Sequence, residues 1–250
     1  MPLDLRKALF ILPNLLTLAS VFCGFYAIVL CGELRVGAQS GAFRAALLIL
    51  FAMLFDTIDG RVARLTRTQS ALGVQLDSLA DVISFGVAPA LLVFRWGLEQ
   101  LQGLGLFAAF LYTACGTVRL ARFNVLSTDA HGAPKLPSKY IQGLPIPAAA
   151  GLLVAVVLAD ASLVTRFQPS PVLLLALTLT LAFLMVSRVR FRSFKDLRPS
   201  LRTVGMVSFA VGISVALALR YHISIALMWL LGSYVAIALI EALRGSGKVT

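Results

Sequence analysis

Four aspartates, Asp56, Asp59, Asp77 and Asp81, stand in an otherwise apolar stretch that reads DTIDGRVARLTRTQSALGVQLDSLAD from residue 56 to residue 81. The whole chain holds only 11 acidic residues. A carboxylate surrounded by hydrocarbon is costly unless it is paired, hydrated or bound to a metal. Asp56 and Asp59 are three positions apart, and Asp77 and Asp81 are four apart, so each pair shares one face of a helix. Two such faces turned toward each other form a pocket of oxygen donors. That donor set is the one preferred by hard divalent cations such as Mg²⁺, Mn²⁺ or Ca²⁺. Zinc suits it poorly: the segment has no thiol, and the only histidines of the chain are His131 and His222.

The residues around the acids point the same way. Gly60 and Ala63 extend the Asp56/Asp59 face and keep it small, which lets a ligand approach the backbone. Arg64 follows with a planar cationic fork suited to phosphate oxygens. Gly73 lies one turn before Asp77. Asn14 and Thr17, one turn apart in the first apolar run, form a polar pair that either reaches the same ligand or bridges two helices. Ser84 has no histidine near it in sequence and is read as a packing or hydrogen-bonding residue of the pocket. Two plainer readings compete. In a structural ion-pair network, Arg64 alone would have to neutralise four acids. In a cation or metabolite carrier, the acids would form a relay, and small residues at fixed helical spacing would have no evident purpose.

The elements that position these residues follow from composition. The 250-residue chain is 59% hydrophobic and 13% charged, with a mean hydropathy of +0.92. Apolar runs recur throughout, so an all-α polytopic membrane protein is expected. Eight spans are expected, at about 9–31, 42–63, 71–94, 103–121, 144–165, 170–187, 203–219 and 222–243. They form a single integral membrane domain. The first run continues past Leu30 with no small-residue cleavage site, so no cleavable signal peptide is expected. Cys23, Cys31 and Cys115 lack disulfide or metal-ligand spacing and are read as packing residues. Close-packing of the seventh span is expected at Gly205, Ser208 and Gly212.

The net charge of +11 belongs to short loops, which favours membrane topology over nucleic-acid binding. With eight spans, only Arg35, Arg44, Arg95, Arg166 and Arg220 of the 22 basic residues fall on one side. The other side, which carries both termini and the four aspartates, is then cytoplasmic. The second and third spans are joined by a short loop near residues 65–70, so they are expected to be antiparallel neighbours.

The full pattern, Asp-x2-Asp-Gly-x2-Ala-Arg-x8-Gly-x3-Asp-x3-Asp, resembles the signature of the CDP-alcohol phosphotransferase family at Asp56, Asp59, Gly60, Ala63, Arg64, Gly73, Asp77 and Asp81. The flanking DSLADVISFGVAPA resembles the phosphatidylserine synthase branch, as do PNLLTLAS, RLARFN, GLPIPAAA and SRVRFRSFKDL. Val82 stands where phosphatidylglycerophosphate synthases usually carry a lysine. The resemblance implies a six-helix core at about 9–187 followed by two further C-terminal helices at about 203–243. It implies a reaction between CDP-diacylglycerol and L-serine at two divalent ions, Mg²⁺ or Mn²⁺, held by Asp56, Asp59, Asp77 and Asp81. Asp81 would be the general base. Asn14, Thr17, Gly60, Ala63, Arg64 and Gly73 would bind CDP-diacylglycerol. Arg119, Arg122 and Lys195 are the candidate partners of the serine carboxylate; otherwise they serve topology and attraction to anionic lipid. The expected setting is the cytoplasmic membrane, with no nucleic-acid partner and, as is common in this family, a homodimer. Glycerol phosphate, inositol phosphate or choline in place of serine remains an alternative, as does the carrier.

Overall fold

The computed structural model describes residues 5–34, 39–66, 68, 70–127, 140–162, 170–192, 208, 211–214, 216, 219–220 and 223–245. Helix α1 spans Leu5–Glu33 and α2 spans Gln39–Leu65. Helix α3, Ala71–Asp81, continues through a π-helical segment, Val82–Val87, into α4, Ala88–Val93. A second π segment, Phe94–Leu98, and a 3₁₀ turn, Glu99–Leu101, complete this composite span. Then come α5 (Gly103–Ser127), α6 (Ile146–Ser162), α7 (Pro171–Val186) and α8 (Ile223–Gly245).

The architecture is that of an all-α polytopic membrane protein. Four helical stretches are long and apolar enough to cross a bilayer: Leu12–Glu33, Ser40–Leu65, Leu72–Leu101 and Gly103–Leu126. Shorter apolar helices cover Ile146–Ala161, Pro171–Val186 and Ile223–Ile237. The expected seventh span lies mostly outside the described residues, although Ser208, 211–214, Ala216 and Leu219 are helical. A Cβ at Gly212 would meet no atom within 4 Å, so the close helix contact expected there is not seen.

Packing follows from side-chain size. Ala42, Ala45, Ala46, Ile49 and Ala52 recur on one buried face of α2, where small residues let neighbouring backbones approach. Helix α6 is apolar all round and buried from residue 149 to residue 160, as expected of a central helix. It packs on α2, on α8 and on the first π segment. Cys23 and Cys31 are buried and all three thiols are free, in keeping with packing roles.

The π segment has a local cause. Pro89 has no N–H to offer the preceding turn, and its ring crowds the carbonyl four residues back. That carbonyl, of Phe85, accepts instead from the buried Tyr112 hydroxyl of α5 at 3.2 Å. Ser84 does not face the acids. Its hydroxyl donates to the Ser20 carbonyl at 3.0 Å, where Gly24 gives α1 room to pass.

Two findings depart from the sequence reading. Helices α2 and α3 do not pack face to face. Helix α1 packs along α2 and also carries α3, while α2 meets the π segment. Two carboxylate-bearing faces repel and cannot close directly on each other, so a cleft with α1 as its wall separates them. The second departure is a small antiparallel ribbon. Strand β1, Tyr140–Gln142, pairs with β2, Arg190–Arg192, with Ile141 opposite Phe191. Gly143 closes this ribbon onto α6 at φ +79°, its N–H donating to Val189 O at 2.9 Å. A β-carbon there would overlap the Met185 carbonyl oxygen, so glycine is required.

Candidate active site

Asp56, Asp59 and Asp77 converge from α2 and α3. Each offers a carboxylate oxygen, and these oxygens all lie within 4.8 Å of one another. Asp59 is almost fully buried, and its Oδ2 accepts from the Thr17 hydroxyl of α1 at 2.7 Å. Thr17 therefore makes the interhelical bond and also lines the cleft. The Asp56 carboxyl is within hydrogen-bonding range of those of Asp77 and Asp81. Asp81 sits one turn further along α3, just before the π segment. It is buried, and its Oδ1 has no hydrogen-bond partner.

The cleft runs from this cluster toward the loop between α2 and α3. Asn14 and Thr17 line it from α1, and Asp59, Gly60 and Ala63 from α2. Gly73, Val74 and Asp77 line it from α3, and Thr68 and Ser70 from the loop. Its empty volume of about 530 Å³, open mouth included, lies within the range of about 300–1,000 Å³ usual for small-molecule sites. A β-carbon on Gly60 would meet nothing within 4 Å. Protein packing does not demand that glycine; the open space beside it does. Gly73 is different, since a β-carbon there would stand 3.1 Å from Ser70 Oγ. Ser70 is the N-cap of α3 and accepts from Gly73 N at 3.0 Å.

The basic residues divide. Arg119 of α5 is buried, with its guanidinium 5.7 Å from the Phe123 ring centroid. It interacts electrostatically with Asp81, and its Nε has no hydrogen-bond partner. Tyr234 of α8 is also within electrostatic reach of Arg119. Arg122, three positions on, is engaged elsewhere: it donates to Gln142 Oε1 and, at 3.4 Å, to the Val186 carbonyl. It ties α5 to the ribbon, so the sequence pairing of Arg119 with Arg122 is separated in space. Arg64 is exposed and not among the residues lining the cleft; its Nε donates to the Gly60 carbonyl at 2.8 Å. Lys195, with His131, His222, Lys135 and Lys139, lies outside the described residues. Asn124 Nδ2 donates to Ser78 Oγ at 2.9 Å and ties α5 to α3 beside Asp77.

Thr68, Ser70 and Tyr234 were not singled out by the sequence. The hydroxyls of Thr68 and Ser70 sit in the short loop between the two acidic pairs, and that position was the available signal. Tyr234 carried none, because its place beside Arg119 depends on α8 packing back onto the core.

The donor set fits a hard cation, with carboxylate oxygens gathered from two helices and no sulfur or imidazole among them. The fold and this site define a membrane-embedded class: the chain belongs to the CDP-alcohol phosphatidyltransferase family, whose family model matches residues 10–187. Among individual proteins it is similar to the CDP-diacylglycerol–serine O-phosphatidyltransferase of Helicobacter pylori strain 26695, at 36% identity over 194 residues, covering 78% of this chain and 77% of that one. The enzyme of the same name from Bacillus subtilis strain 168 is 34% identical over 184 residues, covering 74% and 91%. That of Saccharomyces cerevisiae is 42% identical over 143 residues, covering 55% and 50%.

Proposed function

We propose that this protein transfers the phosphatidyl group of CDP-diacylglycerol to the hydroxyl of L-serine, giving phosphatidylserine and CMP. The names of its relatives support the reaction. The observation that carries the choice of acceptor is the buried pair beside the carboxylate cluster: Asp81, with Oδ1 unpartnered, and Arg119, with Nε unpartnered. Buried polar atoms without partners call for a missing group. L-Serine supplies a carboxylate for Arg119 and a hydroxyl proton for Asp81.

Asp56, Asp59, Asp77 and Asp81 are the ligands for two Mg²⁺ or Mn²⁺ ions, which when bound neutralise the pyrophosphate of the donor. The chain's own groups do the rest. Gly60, Ala63 and Gly73 leave room for the nucleotide, with Asn14 and Thr17 opposite. Arg64 turns its terminal amino groups toward a phosphate oxygen. Arg119 holds the serine carboxylate, and Asp81 takes the hydroxyl proton. The serine oxygen bonds to the phosphorus that carries diacylglycerol, the bond from that phosphorus to the oxygen of CMP breaks, and CMP leaves.

The setting is the cytoplasmic membrane, with the cleft and both termini on the cytoplasmic side, a reading supported by the bias of Lys and Arg to one side of the spans. The donor enters laterally and leaves its acyl tails in lipid. The chain is a single membrane domain, its C-terminal helices added to a six-helix core, and it works as a homodimer.

Offering CDP-diacylglycerol with equal L-serine, glycerol 3-phosphate, inositol phosphate and choline, and identifying the lipid product by mass, tests the acceptor. Phosphatidylserine as the dominant product is expected. Another phospholipid in its place would overturn the serine assignment, and no lipid product from folded protein would favour a carrier.

A further inference from the structure

The α2–α3 loop holds a chain of hydroxyls whose proton directions are fixed. Thr66 Oγ1 lies 2.7 Å from the Val62 carbonyl, which can only accept, so Thr66 spends its proton there. Thr66 Oγ1 is also 2.7 Å from Thr68 Oγ1. With the Thr66 proton spent, Thr68 must be the donor in that contact. Thr68 is 8% exposed and lines the cleft, so its hydroxyl faces the cleft as an acceptor only. Its backbone N–H is held by the Ala63 carbonyl at 3.0 Å, which fixes the residue in place. Ser70 has the opposite polarity. Its Oγ already accepts from Gly73 N, which leaves its proton to donate into the cleft.

We infer that Thr68 and Ser70 read the pyrimidine edge of the donor nucleotide, with Thr68 accepting from an exocyclic amine and Ser70 donating to the neighbouring ring nitrogen. This rests on the reading of the cleft as the site of a nucleotide-activated lipid. Cytosine presents an amine donor beside a ring-nitrogen acceptor. Uracil presents a carbonyl acceptor beside an N–H donor, so its carbonyl would face the lone pairs of Thr68. Accommodating uracil requires the Thr66–Thr68 chain to reverse and the bond to Val62 to be lost. One hydrogen bond at this net worth is a factor of about ten in affinity. The loop thus carries base selectivity that the carboxylate signature does not.

Equilibrium binding of CMP and of UMP to the purified full-length protein in detergent with Mn²⁺ tests this without any turnover. CMP is expected to bind about tenfold more tightly than UMP, a ratio worth about one hydrogen bond. Thr68→Val should bring the ratio close to one, and Thr68→Ser should keep it. Thr66→Val frees the Thr68 proton and should tighten UMP binding while leaving CMP binding close to wild type, which excludes simple misfolding as the cause. Equal wild-type affinities, or a ratio unchanged in Thr68→Val, would overturn the inference and leave the nucleotide reading intact. Failure of both nucleotides to bind would overturn both.

Discussion

Burial sets the terms for every charged side chain at the carboxylate end of the bundle. Asp56, Asp59 and Asp77 face one another with a hydroxyl on Asp59 as their neutral partner, so the folded chain carries unrelieved repulsion that a cation removes. Replacing one of them should therefore harm activity far more than stability. Asp77→Ala is expected to abolish CMP release while the melting midpoint in metal-free detergent stays level or rises; a mutant that keeps full activity would contradict the ligand role. Gly60→Ala fills ligand space and touches no protein atom. It should raise the KM for CDP-diacylglycerol with the serine KM and the melting midpoint unchanged. Arg119→Gln should raise the serine KM by about tenfold or more, the worth of a charge-assisted bond, with little change for the lipid; equal effects on both would remove Arg119 from the serine pocket. The acids were legible because a charge in an apolar run is conspicuous and its helical spacing is exact arithmetic. The separate fates of Arg119 and Arg122 were not legible. Both sit at a helix end where basic residues are common, and only the placement of Gln142 and Val186 shows which one is engaged.

At the scale of elements, the site depends on two irregularities that periodicity does not reveal. The span from Ala71 to Leu101 reads as one helix in sequence, but it changes winding directly after Asp81. Pro89 was the visible signal; the compensating Tyr112 hydroxyl, on another helix, was not. Tyr112→Phe leaves the buried Phe85 carbonyl without its partner and should cost roughly 1–3 kcal/mol, seen as a lower midpoint in thermal unfolding; an unchanged midpoint would mean that the carbonyl finds another donor. The ribbon was equally hidden, since strands of three residues leave no alternation to detect. Gly143 lay within a motif that the sequence reading quoted, yet its reason, a left-handed turn against Met185, is purely tertiary. Gly143→Ala should lower the yield of folded protein, whereas alanine at the open Gly60 should not.

Across the whole molecule, the two ends of the bundle differ in chemistry. At one end Arg95 pairs with Glu99 at 2.6 Å and donates to the Leu34 carbonyl at 2.7 Å, closing the C-terminus of α1 with a cation. At the other end stand the carboxylates, Arg119 and the ribbon. The number and order of the long apolar helices were readable from hydropathy, because a bilayer imposes span length. The way α1 comes between α2 and α3 was not, because loop length shows that two helices are connected and not what lies between them. Helix α8 lies beyond the residues matched by the family model, yet it brings Tyr234 to Arg119, so the C-terminal helices belong to the working protein.

The most direct test of the account is CMP release from CDP-diacylglycerol by the purified protein in detergent with Mn²⁺ or Mg²⁺, measured with and without L-serine. The account predicts release that requires serine and stops when EDTA is added. Release that ignores serine, or that persists in EDTA, would contradict it.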